Sequence, residues 1–488
     1  MGTVIDCAES IYDIMAICTK FLLDTNFDPW EFDNNSYIYN TVFDAVEKYA
    51  DKVERNTHTY ELRLLKKQLN KLLADSNNSI EQWNNVCYSI VKSIDDCVEP
   101  DVENNSVKDG YCLRYESLNS REKECVRIIP RQNDTFIKQN GRLLLKDPHN
   151  SNYTLFRNEN DFFASDIDRK MQNYMIWGKE YINKYPLNIV RIDKNSDIGK
   201  AFYNKKSLKI GIAPFTCMEI NDILNIQKNR TTFLVKNMKK NAEEKLKERY
   251  MKVYKKCCEQ DIDFLIFPEM LISYVMLDEC KKNYTKSGPK YVINGSISDM
   301  RTNVSVITDC NRKDIFSYYK KNGYIDTIQG INYKEALDNS QNIDYSILEL
   351  EDFGRVGICI CKDLNDENTV LFHKLIRTNI LLVPAFSKSL SLISEAENIA
   401  DMYNCITVFA NSCSARCKHW DDNMDIGFIV LPAKKGTSNK CLVHKYSAKN
   451  CINTCENECL CKVFSIVFDE ISECEGKYSF NLQEEILS

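Results

Sequence analysis

The chain has 488 residues, which is too many for one ordinary hydrophobic core and predicts two or three domains at about 150 residues each. A hydrophobic content of 43% and a charged content of 27% are typical of a globular protein, and a net charge of -6 argues against a nucleic-acid-binding surface. No segment approaches the roughly 18 apolar residues that a membrane span needs, and residues 1–10 lack the pattern of a secretory signal. We therefore expect a cytoplasmic protein without membrane contact, whose 22 cysteines are mostly free thiols.

Residues 1–100 are predicted to form a helical N-terminal region. Apolar residues recur at intervals of three and four in residues 4–23, 37–54, 58–74 and 79–97, and polar stretches separate these segments. Residues 101–205 are polar and rich in asparagine, and this connecting region is either a second small domain or a long ordered linker, with a helix predicted at about 165–184.

From about residue 206, short apolar runs alternate with amphipathic stretches. The predicted strands are residues 208–213, 263–269, 291–297, 303–308, 356–360, 379–385, 405–411 and 427–432. A long charged helix is predicted between the first two of these strands, at about 219–259. Continuous apolar strands interleaved with helices indicate a sheet covered on at least one face. We therefore predict one α/β domain over residues 206–470 and a C-terminal tail over residues 471–488.

The first candidate for chemistry is Glu269, in the stretch "DIDFLIFPEM". Pro268 cannot donate a hydrogen bond to a neighbouring strand, so the strand is predicted to end there. Glu269 then lies at the carboxyl end of the strand, which is where ligand sites of α/β sheets are found. Taken alone, the pattern is equally compatible with a surface carboxylate in a turn.

The second candidate is Cys361, in "GICICKDLND". The strand runs through Ile360 and a helix is predicted from about Asn365, which places Cys361 at a strand-to-helix turn. Backbone N–H groups at a helix N-terminus favour a thiolate and lower the pKa of a cysteine. Cys359 lies inside the strand and is predicted to be a core residue; Cys361 in isolation would be interpreted in the same way.

Together, these stretches resemble the nitrilase, or carbon–nitrogen hydrolase, superfamily. A Pro-Glu strand end, a lysine after a strand and a Gly-x-x-x-Cys-x-Asp stretch follow one another in the family's order. The stretches "ILLVPAFS" (380–387), "AENIADMYNCITVFANS" (396–412) and "GFIVLPAKKG" (427–436) resemble the later strands and helix of that family. The resemblance covers residues 206 to about 470 and implies an αββα sandwich with a Glu–Lys–Cys triad.

Two positions of the family pattern stay open. The lysine is Lys320 if Tyr318-Tyr319-Lys320 corresponds to the family's Tyr-x-Lys. It is Lys321 if Tyr319-Lys320-Lys321 corresponds to that pattern, which fits the alternation of apolar residues from Ile315. The family's second glutamate corresponds to Gln329 or to Glu335. If Gln329 is the equivalent, a carboxylate that helps to orient the lysine is missing.

The resemblance implies a mechanism without a cofactor or a metal. Cys361 attacks an amide carbonyl or a nitrile carbon, Glu269 takes its proton and later activates water, and the lysine ammonium stabilises the developing charge. We therefore predict an amidase-type carbon–nitrogen hydrolase that acts on a small-molecule, non-peptide amide or nitrile. One alternative is an ammonia-supplying amidotransfer module. The other is a non-catalytic or regulatory component of a multi-protein assembly, such as a bacterial defence system, whose N-terminal helices bind a protein partner.

Two further expectations concern metals and assembly. The cysteines at 451, 455, 459 and 461 have irregular spacing, so we expect them to bind no metal. The resemblance also implies a homo-oligomer that associates through residues 366–378 and the predicted helix near 393–404.

Overall fold

In this computed structural model, two compact units follow one another along the chain, one up to Pro186 and the other from Leu187 onward. The structure describes residues 5–6, 8, 10–30, 32, 36–53, 58–75, 79–97, 126–130, 167, 171, 174–177, 184–203, 205, 207–328, 330–338, 344–351, 353–403, 405–415, 425–432, 441–447, 461–468 and 480–487. No helix in these ranges is both long enough and apolar enough to cross a membrane.

The N-terminal unit contains the predicted helical segments. They are α1 (Ile11–Asp24), α2 (Tyr37–Val53), α3 (His58–Asp75) and α4 (Ile80–Cys97), and their apolar faces share one core. Helix α1 begins at Ile11 because Ser10 caps it: the Ser10 Oγ accepts from the N–H of Asp13 at 3.1 Å, and the Asp13 carboxylate accepts from the N–H of Ser10 at 2.9 Å.

The predicted helix at about 165–184 is wrong over Tyr174–Trp177. These residues form strand β2, which pairs antiparallel with β1 (Arg127–Pro130). All four side chains of β2 are buried, whereas a surface helix would bury only one face of each turn. The N–H of Tyr174 also donates to the buried carboxylate of Asp95, at 3.1 Å.

The second unit is built on two large sheets. Its strands are β3 (Leu187–Ile192), β4 (Ser207–Ile212), β5 (Leu224–Asn229), β6 (Thr232–Met238), β7 (Phe264–Ile266), β8 (Tyr291–Ile293), β9 (Ile297–Asp299), β10 (Thr302–Asp309), β11 (Asp314–Tyr319), β12 (Ile325–Ile328), β13 (Ile331–Glu335), β14 (Tyr345–Leu350), β15 (Gly354–Ile358), β16 (Ile380–Ala385), β17 (Ile406–Asn411), β18 (Asp425–Pro432), β19 (Cys441–Ser447), β20 (Cys461–Phe468) and β21 (Phe480–Leu487). Its helices are α5 (Lys240–Cys257), α6 (Tyr274–Lys281), α7 (Glu367–Leu375) and α8 (Ile393–Tyr403), with short helical turns at Gly199–Phe202, Ile220–Ile223, Cys361–Asn365 and Cys413–Ala415.

The two large sheets pack face to face between helices. One sheet has the order β11-β10-β8-β7-β4-β20-β21, with β9 beside β10, and the other has the order β19-β18-β17-β16-β15-β14-β3. The ring of Phe202 lies between them, against Phe264 and Tyr291 on one side and Phe353 on the other. Helices α5 and α6 share a core with the first sheet, and α7 and α8 contact the second. The predicted α/β architecture with an αββα order of layers is confirmed.

The unit extends beyond the predicted limits of 206 and 470 on both sides. Strand β3 pairs in parallel with β14, from Leu187 opposite Tyr345 to Ile192 opposite Leu350. Strand β21 pairs antiparallel with β20 along its full length, so part of the predicted tail belongs to a sheet. Both are edge strands with polar residues along them, which conceals them in a search for continuous apolar runs.

The long charged helix predicted at 219–259 is wrong over its first half. Residues 224–238 form the hairpin of β5 and β6, and the helix is only α5 (Lys240–Cys257). In β6, the inward-facing Phe233 and Val235 are two residues apart, which is the period of a strand rather than of a helix. The hairpin joins β12 and β13 in a separate four-stranded sheet with the order β12-β13-β6-β5.

Candidate active site

Glu269 lies just beyond the carboxyl end of β7, as predicted, and its side chain is buried. Its N–H donates to the carbonyl oxygen of Ala385 at 3.3 Å, so the ends of β7 and β16, which belong to different sheets, meet here. The next residue, Met270, has a φ of 65°. A left-handed conformation at a residue other than glycine is unfavourable and persists only where the surrounding structure enforces it.

Lys320 follows β11 and lies between two carboxylates. Its Nζ donates to Oε1 of Glu269 and to Oε2 of Glu335, both at 2.7 Å. The side-chain amide of Asn303 donates to the same two carboxylates, at 2.9 Å and 3.0 Å. All four side chains are buried. The cluster therefore holds one ammonium and two carboxylates out of water, joined by a shared amide donor.

These contacts set the protonation of the cluster. Burial opposes the charged form of Lys320, but Glu269 and Glu335 outweigh it and hold the pKa of the ammonium well above its usual value. Burial also raises the pKa of Glu269, against the opposing effects of Lys320 and Asn303. A carboxylate whose pKa is raised is a better proton acceptor than a solvated one, which suits a general base.

Lys321 has a different environment. Its Nζ donates to the carbonyl oxygen of Asp344 at 3.0 Å and lies 4.8 Å from the centre of the Tyr345 ring. Burial lowers its pKa to about 8. Of the two candidate lysines, Lys320 is therefore the one that contacts Glu269.

Glu335 supplies the second carboxylate at Lys320, whereas Gln329 lies outside the described residues. Two backbone hydrogen bonds to Tyr324 hold Glu335 in place. The N–H of Glu335 donates to the carbonyl oxygen of Tyr324 at 2.7 Å, and the N–H of Tyr324 donates to Oε2 of Glu335 at 3.0 Å. Of the two sequence alternatives, the described structure places Glu335 at this position.

Cys361 is the first residue of the 3₁₀ turn Cys361–Asn365, with a φ of 46°. Its side chain is 3% exposed. The carboxylate of Glu269, the ammonium of Lys320 and the N–H of Phe386 all lie near enough to the thiol to shift its pKa. The structure therefore brings Glu269, Lys320 and Cys361 together.

The expected lowering of the Cys361 pKa by a helix N-terminus is wrong. Burial is the largest effect and raises the pKa of the thiol, and the carboxylate of Glu269 raises it further. Helix α7 does not begin at Cys361, because it is capped by Asp366, whose carboxylate accepts from the N–H of Thr369 at 2.8 Å. Cys361 is consequently a thiol at rest, and as a nucleophile it would need a base beside it. Cys359 is fully buried, as predicted for a core residue, and burial raises its pKa strongly.

Asp363 joins the turn of Cys361 to the strand end of Lys320. Its carboxylate accepts from the N–H of Asn322 at 2.7 Å, from the N–H of Lys321 at 3.0 Å and from the hydroxyl of Tyr318 at 3.1 Å. Burial raises the pKa of Asp363 to about 6 in spite of these donors.

Sequence reasoning missed Asn303 and the N–H of Phe386. Asn303 is a polar residue in the predicted apolar strand "NVSVIT", and a buried polar side chain in such a strand needs a partner. The polarity of this position could therefore have identified Asn303 from the sequence. Phe386 acts through its backbone, donating to Oε2 of Glu269 at 3.1 Å, and its residue type gives no indication of this contact.

A metal site is not evident in the part of the chain that the structure describes, where no three Cys, His, Asp or Glu side chains are arranged to hold an ion. Thirteen of the described cysteines are free thiols, and Cys217 is disulfide-bonded. Cys451, Cys455 and Cys459 lie outside the described residues, so the expectation for that cluster stays a prediction.

Comparison with known proteins finds similarity to solved structures only: no family model and no curated protein matches the chain. An amidase of the nitrilase superfamily from Nesterenkonia AN1 is 12% identical, with a TM-score of 0.32, and the match covers 50% of this chain and 92% of the amidase. Nit3 of Saccharomyces cerevisiae, also of the nitrilase superfamily, is 14% identical, with a TM-score of 0.29 and coverage of 49% and 90%. A glutamine-dependent NAD+ synthetase from Acinetobacter baumannii is 13% identical, with a TM-score of 0.31 and coverage of 58% and 49%.

Proposed function

We propose that this protein is a carbon–nitrogen hydrolase of the amidase type, with Cys361 as its nucleophile. The observation that carries the proposal is the buried cluster in which Lys320 contacts Glu269 and Glu335 at 2.7 Å, with the thiol of Cys361 near enough for Glu269 and Lys320 to shift its pKa. A candidate nucleophile, a base and a charge-stabilising cation are thus gathered in one buried cluster, which is the arrangement that nucleophilic catalysis needs.

The reaction follows from the contacts. The sulfur of Cys361 attacks the carbonyl carbon of an amide as its proton passes to Glu269, which forms a tetrahedral intermediate whose oxyanion is stabilised by the ammonium of Lys320. The intermediate collapses when the C–N bond breaks and the leaving amine takes the proton from Glu269. Glu269 then removes a proton from a water molecule as that water attacks the thioester carbon. The C–S bond breaks, the carboxylic acid leaves, and Glu269 returns the proton to the sulfur of Cys361.

Glu335 bears on the non-catalytic alternative. That alternative was favoured by an absent second carboxylate, with Gln329 in its place. Glu335 contacts Lys320 directly, so the lysine has a second carboxylate beside it. The argument against catalysis that an absent carboxylate would give therefore does not apply. The ammonia-supplying alternative has no feature of its own in the described residues that favours it.

The test is ammonia release from a panel of primary amides by the full chain, together with the intact mass of the protein during turnover. We expect an acyl adduct on Cys361 and loss of ammonia release in Cys361→Ala. The control is Cys258→Ala, which changes a half-buried free cysteine at the end of α5. Ammonia release that persists in Cys361→Ala would refute the proposal.

A further inference from the structure

A cavity of about 390 Å³ opens onto the candidate active site at Glu269 and Phe386. These two residues are also among the groups near enough to Cys361 to shift the pKa of its thiol. An acyl group attached to the reacting carbonyl carbon therefore has this cavity as its neighbouring space. For scale, a cavity of about 150 Å³ is sufficient to bind benzene.

Part of the cavity wall comes from the hairpin that sequence reasoning mistook for a helix, and this part is apolar except for Lys228. Polar side chains, among them Glu219, Tyr324 and Asp326, line other parts of the cavity. Ile226 of β5, and Phe233 and Val235 of β6, line it together with Met270 and Phe386. Phe233 is 7% exposed and Val235 is 1% exposed, so a polar group placed against them would lose water without gaining a hydrogen-bond partner from their side chains.

The same hairpin is hydrogen-bonded to the strand that carries Glu335. Strand β6 pairs in parallel with β13, and Phe233 lies opposite Glu335 in that register. The carbonyl oxygen of Phe233 accepts from the N–H of Ala336 at 2.8 Å. The strand that carries Phe233 and Val235 and the strand that carries Glu335 therefore belong to one hydrogen-bonded sheet, and Glu335 in turn contacts Lys320.

The lysines among the cavity residues have partners in the described structure. Lys388 forms an ion pair with Asp326 at 2.9 Å. Lys228 lies over the ring of Tyr333, 5.3 Å from its centre. Both ammonium groups therefore already have partners within the described structure.

We propose, on the basis of the function proposed above, that the substrate is an amide with an apolar acyl group about as large as a phenyl ring, selected by the β5–β6 hairpin. Such a group, placed against the apolar side chains of the hairpin, removes more of their surface from water than a one- or two-carbon acyl group can. The hairpin thus determines the acyl specificity of the site.

The experiment compares 2-chloroacetamide with 2-chloro-2-phenylacetamide on the full chain. In both reactions the sulfur of Cys361 displaces chloride, a C–S bond forms, the C–Cl bond breaks and the thiol proton passes to Glu269. The rate at Cys361 is measured by peptide mass spectrometry and divided by the rate of the same reagent with glutathione, which removes the intrinsic difference in reactivity. We expect the normalised rate to be at least about tenfold higher for the phenyl reagent.

Two variants locate the preference. Ile226→Trp fills the cavity and should bring the ratio of the two normalised rates to about one. Ile331→Trp is the matched control, since Ile331 belongs to the same four-stranded sheet but is 48% exposed and away from the cavity; it should keep the ratio of the unaltered protein.

The outcomes separate the two proposals. Alkylation of Cys361 with equal normalised rates for both reagents overturns the specificity inference and leaves the hydrolase proposal in place. If neither reagent modifies Cys361 faster than it modifies Cys258, the proposed function is itself contradicted, and the inference with it.

Discussion

At the scale of single residues, the two lysines that follow β11 differ because their side chains point in different directions. Lys320 and Lys321 are adjacent, yet one ammonium is enclosed by two carboxylates and the other contacts a carbonyl oxygen and an aromatic ring. Successive residues of an extended chain point in opposite directions. Adjacent lysines can therefore differ completely in function.

Lys320→Ala should abolish acylation of Cys361, whereas Lys321→Ala should retain it. The first variant leaves Glu269 and Glu335 as buried carboxylates without their cation, which should also lower the free energy of unfolding by about 3–5 kcal/mol. Denaturant unfolding and ammonia release measure the two effects. Equal activity in both variants would contradict the assignment of Lys320.

Asn303→Leu should shift the pH dependence of acylation upward by about one unit. The amide of Asn303 lowers the pKa of Glu269 by donating to its carboxylate, and a lost hydrogen bond to a charged group is worth about 1.5–3 kcal/mol. Glu269 must be deprotonated to accept the thiol proton, so a higher pKa moves the rise in rate to higher pH. Asn283→Leu, at an exposed position after α6, is the control; an unchanged profile in Asn303→Leu would show that the amide has no such effect.

At the scale of elements, the close approach of α7 to β15 positions Cys361. Gly357 lies in β15, and a Cβ added there would be 2.6 Å from Cε1 of the His373 ring. His373 belongs to α7 and is buried, with its Nδ1 3.0 Å from the hydroxyl oxygen of Thr378. The turn that contains Cys361 connects these two elements, so their spacing determines where the sulfur lies.

Gly357→Ala should destabilise the second unit by about 1–3 kcal/mol, the usual cost of overfilling a packed core. Removing the obstructing ring in the double variant Gly357→Ala/His373→Ala should recover part of that loss relative to the two single variants. Thermal or denaturant unfolding of all four proteins gives the coupling energy. If the changes in unfolding free energy of the two single variants simply add in the double variant, contact between the two residues is not the cause of the destabilisation.

The burial of His373 also predicts a pH dependence. Burial lowers its pKa to about 3, below the value of about 6.5 expected in the unfolded chain. The unfolded state therefore binds more protons between these values, and the contribution of His373 is complete above about pH 6.5 and is lost as the pH falls, by up to about 1.4 kcal/mol per pH unit. His373→Leu should flatten the unfolding free energy against pH between about 4 and 6; an identical slope in both proteins would argue against this origin.

At the scale of the whole molecule, the second unit begins earlier than its apolar pattern suggests. Strand β3 completes the edge of a sheet, and Arg191 within it lies 3.6 Å from the carboxylate of Glu349. Loss of β3 would expose the backbone of β14 as a new sheet edge, which favours aggregation. Association of this unit with itself through α7 and α8 stays a prediction, which light scattering can check.

A fragment that starts at residue 187 should therefore fold, whereas one that starts at residue 206 should aggregate or unfold at lower denaturant concentration. Circular dichroism and size-exclusion chromatography of the two fragments measure this difference. Equal stability of both would show that β3 contributes little, and the original limit at residue 206 would then be adequate.

The sequence by itself determined the helical N-terminal region, most strands of the two large sheets, and Glu269 and Cys361 at strand ends. These features depend on local periodicity and on residues such as Pro268, whose effect on the backbone is independent of the rest of the chain. Only the tertiary structure decided that Lys320 rather than Lys321 meets Glu269, that Glu335 is the second carboxylate and that Asn303 joins the two acids. The reason is physical: these contacts bring together side chains that are far apart in the chain, and the burial that sets their pKa values exists only once the strands have assembled.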